Sequence, residues 1–406
     1  MYNILKSSWD LCMNFTPIAP LDLKGNISAS LLELSEEVCL KSAALTGSHT
    51  SLTLDAIKDQ LRIVNSYYSN RIESQGTHPI DIEKAMRQEF SSNETTKNLQ
   101  LLSLAHIATQ KEIEATNTFN PYTETFIRFV HRYFYTFEGM DPFLIIRHEN
   151  QMKTMSPGEY RDCDVTIGQH IPPHTQELPA LLASYEHLYT TATRQGTYAQ
   201  KLLYALSSHH RLVWIHPFLD GNGRTSRLVL DGALMQLKGY GLWNISRGLA
   251  RNMSGYKTAL AHADLIRQGS FDGRGDLSTK ALESFVQFML ECSLDQITYM
   301  ERYLKLSELS SRIDNYVKKV HDKGFDQITL PKKSDRIFKH LLLVGESPRS
   351  ELASVIDVSE RTMTSVLKEL LTKGYLVSDT QKGPVRLKFN THFMAWLFPE
   401  LVPESL

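Results

Sequence analysis

Apolar residues in this chain recur mostly at three- and four-residue intervals, and strict alternation with polar residues is scarce. That spacing predicts helices over residues 31–44, 52–73, 81–89, 94–115 and 122–137. It predicts further helices over 180–193, 198–214, 222–237, 253–267 and 279–304. No repeat of fixed period is present. Residues 1–50 open with a loop around Pro17 and Pro20. The pattern breaks between Ser156 and Pro179, where Gly, several prolines and the β-like triplet Val165-Thr166-Ile167 predict a hairpin or extended flap. Near the C-terminus, 335–344, 350–356 and 360–372 read as three short helices. The third has Ser359 as its N-cap and an apolar stripe of Met363, Val366, Leu367, Leu370 and Leu371. Two alternating segments, 374–378 and 385–389, follow around Gln381-Lys382-Gly383-Pro384. Three helices plus a two-stranded wing predict a winged helix-turn-helix.

Composition narrows the class. The 406 residues carry 44 Lys+Arg against 45 Asp+Glu and are 42% hydrophobic, as in an ordinary globular protein of two or three domains. The net charge of −1 excludes a globally basic nucleic-acid coat and a long acidic tail. No apolar run reaches the roughly 18 residues that would span a bilayer. The N-terminus lacks the basic-then-apolar pattern of a signal peptide. Cys12, Cys39, Cys163 and Cys292 are far apart with no CxxC pair, which predicts reduced thiols in a cytoplasmic protein.

Candidate chemistry concentrates in His216-Pro217-Phe218-Leu219-Asp220-Gly221-Asn222-Gly223-Arg224-Thr225-Ser226-Arg227. The segment joins two apolar helices by a tight polar loop. Gly221 and Gly223 permit backbone angles closed to other residues, and the loop runs into a helix N-terminus, where free N–H groups favour an anion. Arg224 and Arg227 are three apart, near one side of the first turn, and their guanidinium forks suit phosphate oxygens. Asp220 supplies one hard oxygen, enough for Mg²⁺ that takes its other ligands from phosphate and water. His216 suits a general base. A plain capping loop with surface arginines is the structural alternative.

The same run resembles the Fic family signature HPFx(D/E)GNGRxxR at every fixed position, and His209, Leu212 and Ile215 agree with it upstream. Tyr160-Arg161, Val165-Thr166-Ile167-Gly168 and His170-Ile171-Pro172-Pro173 are similar to the family's flap. The resemblance covers roughly residues 110–300. It implies a mainly α fold, a Fic-type helical bundle with a β-hairpin flap, joined here to the winged helix-turn-helix. The expected organisation is a helical region over 1–110, a catalytic core over 111–300, a linker helix over 301–330 and the winged unit over 331–406.

The resemblance also implies an activity: transfer of AMP from ATP, with Mg²⁺, to a Ser, Thr or Tyr hydroxyl of a target protein or of the chain itself. His216 would accept the hydroxyl proton. Asp220 would hold the metal. Gly221, Asn222 with its side chain, Gly223 and Thr225 would line the phosphate cradle. Arg224 would bind the β/γ end and Arg227 the γ-phosphate. Val165, Thr166, Ile167 and Gly168 would pair with the target's main chain. Tyr256 would lie beside adenine or else be a core aromatic, and Asp264 stands where the family often has Asn. Ser69-Asn70-Arg71-Ile72-Glu73-Ser74 resembles the inhibitory (S/T)xxxE(G/N) helix, with Ser69 and Glu73 on one face and Glu73 placed to pair with Arg227. Ser74 departs from the last position.

Three alternatives stay open: removal of AMP at the same site, a DNA-binding regulator with a nucleotide-sensing core, and a winged unit used for docking or as part of a homodimer. From 331 to 390 there are 11 Lys+Arg and 7 Asp+Glu, a mild +4. Arg361, Lys368, Lys382, Arg386 and Lys388 are the cations that could meet DNA phosphates. Arg274-Gly275-Asp276 reads as a loop in which Asp276 or Ser278 caps the next helix.

Overall fold

The computed structural model describes residues 18–21, 27–116, 119–148, 151–273, 275–325 and 328–403. Cys12, Pro17 and Arg274 lie outside the described residues. Sixteen helices and five short strands make up the described chain. In order they are α1 (Ala29–Leu45), α2 (Ser51–Ile72), α3 (Pro79–Met86), α4 (Glu94–Ala115), α5 (Glu124–Tyr135), β1 (Ile145–His148) and β2 (Gln151–Thr154). Then come α6 (Leu178–Gln195), α7 (Tyr198–Ile215), α8 (Asn222–Leu234), α9 (Ile245–Arg251), α10 (Met253–Ala263), α11 (Thr279–Tyr303) and α12 (Leu306–His321). The C-terminal part contains α13 (Ser334–Val344), β3 (Glu346–Ser347), α14 (Arg349–Ile356), α15 (Glu360–Thr372), β4 (Leu376–Val377), β5 (Val385–Leu387) and α16 (Thr391–Leu397).

The helix boundaries follow local chemistry. Thr197 and Gln200 form a reciprocal capping box at the start of α7. Ser359 caps α15 by accepting from the Thr362 N–H at 3.2 Å, and Ser278 caps α11 by accepting from the Ala281 N–H at 3.0 Å. Helix α2 buries Leu54, Ile57, Leu61, Val64, Tyr68 and Ile72, one stripe at helical spacing. That stripe packs on α4 and α9. Helix α7 sits between α1, α6 and α8, and α5 covers α8 from the other side.

Beside a small second cluster of Ile63, Ile82 and Ile107, the main apolar core runs from Leu31 through Leu228 and Leu309 to Phe393. The C-terminal elements share it: α13 packs on α12, α16 on α3, and β5 on α2. Strands β3, β5 and β4 form a small antiparallel sheet in that order.

The regular hairpin differs in place from the expected one. It is β1–β2, paired from Ile145↔Thr154 to His148↔Gln151, upstream of the predicted flap. Over 156–174 the chain has no regular element, and its one strand-like pairing is the bridge Ile167↔His170, closed across Gly168 at a left-handed φ of +61°; a 3₁₀ turn at Thr175–Glu177 then leads into α6. Pro157, Pro172 and Pro173 remove main-chain donors there and confine pairing to this tight turn, while Pro179 sits in the first turn of α6. Among the described residues no helix is long and apolar enough to cross a membrane, and Cys39, Cys163 and Cys292 are free thiols.

Candidate active site

The loop between α7 and α8 is held open from several sides. His216 ends α7 in the left-handed region, at φ +50°, which a non-glycine residue adopts only when its surroundings fix it. Arg161 does that: its Nε donates to the His216 carbonyl at 2.9 Å, its N–H donates to the Pro217 carbonyl at 2.9 Å, and its guanidinium donates to the carbonyls of Cys163 and Pro173. Asn222 braces the loop from within. Its side chain accepts from the Phe218 N–H at 2.9 Å and donates to the Phe218 carbonyl at 2.8 Å. His131 stacks on Phe218 with 3.9 Å between ring centroids. Its Nδ1 accepts from the Gly158 N–H at 2.8 Å, so its Nε2–H donates to the Asp220 carbonyl at 3.2 Å.

Helix α8 begins at Gly221, with φ +76° and no side-chain cap. Its first intrahelical bond runs from the Thr225 N–H to the Gly221 carbonyl at 2.9 Å. The N–H groups of Asn222, Gly223 and Arg224 therefore have no carbonyl of this helix to meet. A methyl at Gly221 would lie 2.2 Å from the Tyr135 hydroxyl, so glycine is required there on two counts.

Two buried cations flank this turn. The Arg224 guanidinium donates to the Tyr135 hydroxyl at 2.9 Å and to the Gln75 side-chain oxygen, and its Nε has no protein partner. Arg227 donates from Nε to Ser69 Oγ at 3.0 Å and from one terminal nitrogen to the Ser69 carbonyl at 3.0 Å. The same nitrogen is 2.8 Å from Glu73 Oε1. Glu73 Oε1 also lies only 2.2 Å from where a Gly223 methyl would be, so the carboxylate rests on the first turn of α8. Burial pushes the Glu73 pKa up, but Arg227 and Arg224 outweigh it and hold the carboxyl below its usual range.

Helix α2 ends where this contact is made. The Gln75 N–H donates to the Asn70 carbonyl and the Ser74 N–H to the Arg71 carbonyl, both at 2.9 Å, the pattern of a Schellman close. Ser74 takes the left-handed position at φ +59°, where Gly or Asn is usual. That explains in backbone terms why the resemblance expects Gly or Asn there.

The His216 imidazole is neutral near pH 7. Burial first, then the neighbouring His170 and Arg161, pull its pKa down to about 4. The Asp220 carboxylate is half exposed, with one long contact of 3.9 Å to Arg224. Among the described residues no group of three metal-binding side chains exists. One accessible hard oxygen fits Mg²⁺ only when phosphate and water supply the other ligands.

Residues 123–234 match the family model described as the Fic/DOC family. The chain carries a Fic domain. Over 79 residues it is 42% identical to a Protein adenylyltransferase Fic of Drosophila grimshawi, a stretch that is 20% of this chain and 16% of that protein. The corresponding Culex quinquefasciatus protein is also 42% identical over 79 residues, 20% of this chain and 15% of that one. A Fic family protein from Desulfovibrio desulfuricans superposes with a TM-score of 0.52 at 17% identity, over 91% of this chain and 98% of that one. A Fic domain containing signaling protein from Bacteroides thetaiotaomicron gives 0.52 at 21% identity, over 67% and 97%. At these identities the structural likeness establishes the fold.

The Fic domain brings His216, Asp220, Gly221, Gly223, Arg224 and Arg227 around one turn, and Ser69 and Glu73 reach that turn from α2. Four expected roles need correction. The Asn222 side chain is committed to Phe218, so only its N–H faces the cradle. Thr225 is buried, with its N–H inside the helix. Tyr256 is 3% exposed and donates its hydroxyl to His209 Nε2 at 2.7 Å, while His209 Nδ1–H donates to the Ser226 carbonyl at 3.2 Å. It is a core aromatic behind Arg227 rather than a surface for a base. Arg386 makes a two-pronged ion pair with the exposed Asp379 at 2.6 and 2.7 Å, so it is not a free cation and a phosphate backbone would have to displace that partner. Thr166, Ile167 and Gly168 are exposed and Val165 partly so. Tyr135, Gln75 and His131 were not anticipated. For His131 and Tyr135 the signal is their spacing, four apart on the aromatic face of α5; Gln75 carries none.

Proposed function

We propose that this chain is a protein adenylyltransferase restrained by its own Glu73. The observation that carries the reading is a carboxylate already resting in an anion cradle: Glu73 lies across the open first turn of α8 and pairs with the buried Arg227. Polyphosphate is the natural occupant of two buried guanidinium groups, free helix N–H groups and a half-exposed carboxylate. In this reading Arg227 binds the γ-phosphate once Glu73 withdraws, Arg224 holds the β/γ end, and the N–H groups of 222–224 neutralise charge on the reacting phosphate. Asp220 would hold Mg²⁺, which would supply further charge neutralisation between phosphates. His216 takes the proton from a Ser, Thr or Tyr hydroxyl as that oxygen bonds to the α-phosphorus. The bond from the α-phosphorus to the bridging oxygen breaks, and pyrophosphate leaves. The low pKa of His216 keeps it unprotonated and able to accept. The exposed 165–168 turn is where the target segment would lie. The C-terminal unit is read as a winged helix that packs on the bundle.

The test uses ATP labelled at the α-phosphate and the Glu73→Gly chain. Label should appear on protein, and His216→Ala should abolish its transfer while ATP affinity stays within about twofold. Loss of ATP binding together with activity, in a folded His216→Ala chain, overturns this division of roles.

A further inference from the structure

His170 lies in the turn beside the proposed target path, and both of its ring nitrogens face acceptors. Nε2 is 2.9 Å from the Trp214 carbonyl and Nδ1 is 3.2 Å from Asp264 Oδ2. With Nε2–H donating to the carbonyl, a neutral ring would turn its bare Nδ1 lone pair toward the Asp264 carboxylate, and protonation of Nδ1 turns that repulsion into an ion pair. The second Asp264 oxygen is 3.0 Å from His210 Nε2. His210 Nδ1 accepts from Arg211 at 3.2 Å, so His210 is neutral and donates from Nε2. Asp264 thus accepts from His210 and pairs by charge with His170, the end of α10 binding both α7 and the turn. Trp214 is in the last turn of α7, whose orphan carbonyls and negative dipole end favour a cation. His170 also closes the turn, through its main-chain pair with Ile167 at 2.9 and 3.0 Å.

We propose that the His170–Asp264 ion pair, braced by His210 and the Trp214 carbonyl, is a clamp that fixes the 165–170 turn beside His216. His170 is then a positioning residue for the acceptor hydroxyl. The inference rests on the adenylyl-transfer reading. It gives Asp264 a use: the carboxylate found where the family often has Asn binds the turn. The charged and titratable groups around His170 are Asp264, His210, Arg161 and His216. Burial disfavours the His170 cation, but Asp264 and the Trp214 carbonyl outweigh it and raise its pKa. The Asp264 carboxyl is pulled down to about 2 by both histidines, against burial.

The experiment compares Asp264→Asn and His170→Gln, each in the Glu73→Gly full-length chain. Self-labelling at saturating ATP should fall about tenfold in both, the worth of one charge-assisted hydrogen bond, with KM for ATP unchanged. Histidine side-chain ¹⁵N NMR, with His170 assigned from its absence in His170→Gln, should show two protonated nitrogens at pH 7 in the Asp264 chain. In Asp264→Asn it should show one. A singly protonated His170 in the Asp264 chain overturns the ion pair. An unchanged labelling rate, or KM for ATP rising in step with the loss, overturns the positioning role. No transfer at all by the Glu73→Gly chain overturns the adenylyl-transfer reading and the positioning role with it, and the NMR result separates that failure from failure of the pair.

Discussion

Replacing Glu73 by glycine removes one carboxylate from a site that holds two buried guanidinium groups. Oε1 is 2.8 Å from Arg227, within charge-assisted hydrogen-bond range. Such bonds contribute about 1.5–3 kcal/mol when buried. The Glu73 side chain is 37% exposed, so solvent screening takes the figure to the lower end, about 1.5 kcal/mol. That corresponds to a roughly tenfold preference for the closed arrangement. If Arg227 binds the γ-phosphate, as proposed, the phosphate and the carboxylate cannot share it, and apparent ATP affinity should be reduced by about the same factor. Glu73→Gly should therefore raise labelling at subsaturating ATP about tenfold and lower the calorimetric Kd for ATP to match. Glu73→Gln separates charge from bulk: it keeps the side chain's length and loses the ion pair, so it should recover a large part of the gain. Labelling by Glu73→Gly equal to the unaltered chain would refute the competition argument. Glu73→Gln matching the unaltered chain while Glu73→Gly is active would make the restraint steric rather than electrostatic.

Ser74→Gly should tighten the restraint. It relieves a left-handed residue, a cost of about 1–2 kcal/mol partly offset by the greater freedom of the unfolded chain, and self-labelling of the unaltered Glu73 chain should drop. Gly223→Ala adds a methyl 2.2 Å from Glu73 Oε1 and on the cradle itself. It should displace the carboxylate yet fail to activate, and in the Glu73→Gly background it should weaken ATP binding about tenfold or more by calorimetry. Asp231 is buried, and burial, opposed in part by hydrogen bonds from Tyr240 and Asn65, raises its pKa to about 6. The folded chain therefore binds more protons than the unfolded one between about pH 4 and pH 6. This group's stabilisation is present at low pH and is lost as pH rises through 6. Urea unfolding should show the stability of the unaltered chain, relative to Asp231→Asn, falling by up to about 3 kcal/mol from pH 4 to pH 7.5. A flat difference would show that Asp231 titrates normally.

Periodicity made the long helices legible. The α2 stripe from Leu54 to Ile72 advances in steps of three or four, and α4 and α15 begin and end where expected. Helix α9 gave no signal because Ile245 to Ala250 are all buried, Arg247 and Gly248 included. Arg247 lies 4.2 Å from the Tyr299 ring centroid and donates to Gln296, so a charge that reads as surface is interior. The β1–β2 hairpin was missed because its residues are mostly exposed and carry no apolar alternation. The His216–Arg227 run announced itself through residue type and spacing. The contact of Glu73 with Arg227 spans 154 positions and could be anticipated only through the resemblance. Nothing local joins His170 to Asp264, which meet only because the extended segment folds back over the ends of α7 and α10.

Helix α2 serves two ends at once. Near its start the Thr53 hydroxyl donates to the Leu342 carbonyl in α13 at 3.4 Å, and its flank meets β5. Just past its other end sits the carboxylate that closes on Arg227. Twenty-two helical residues make a stiff rod about 33 Å long. The C-terminal sheet and the Glu73 contact thus lean on one unbroken helix, with no loop between them.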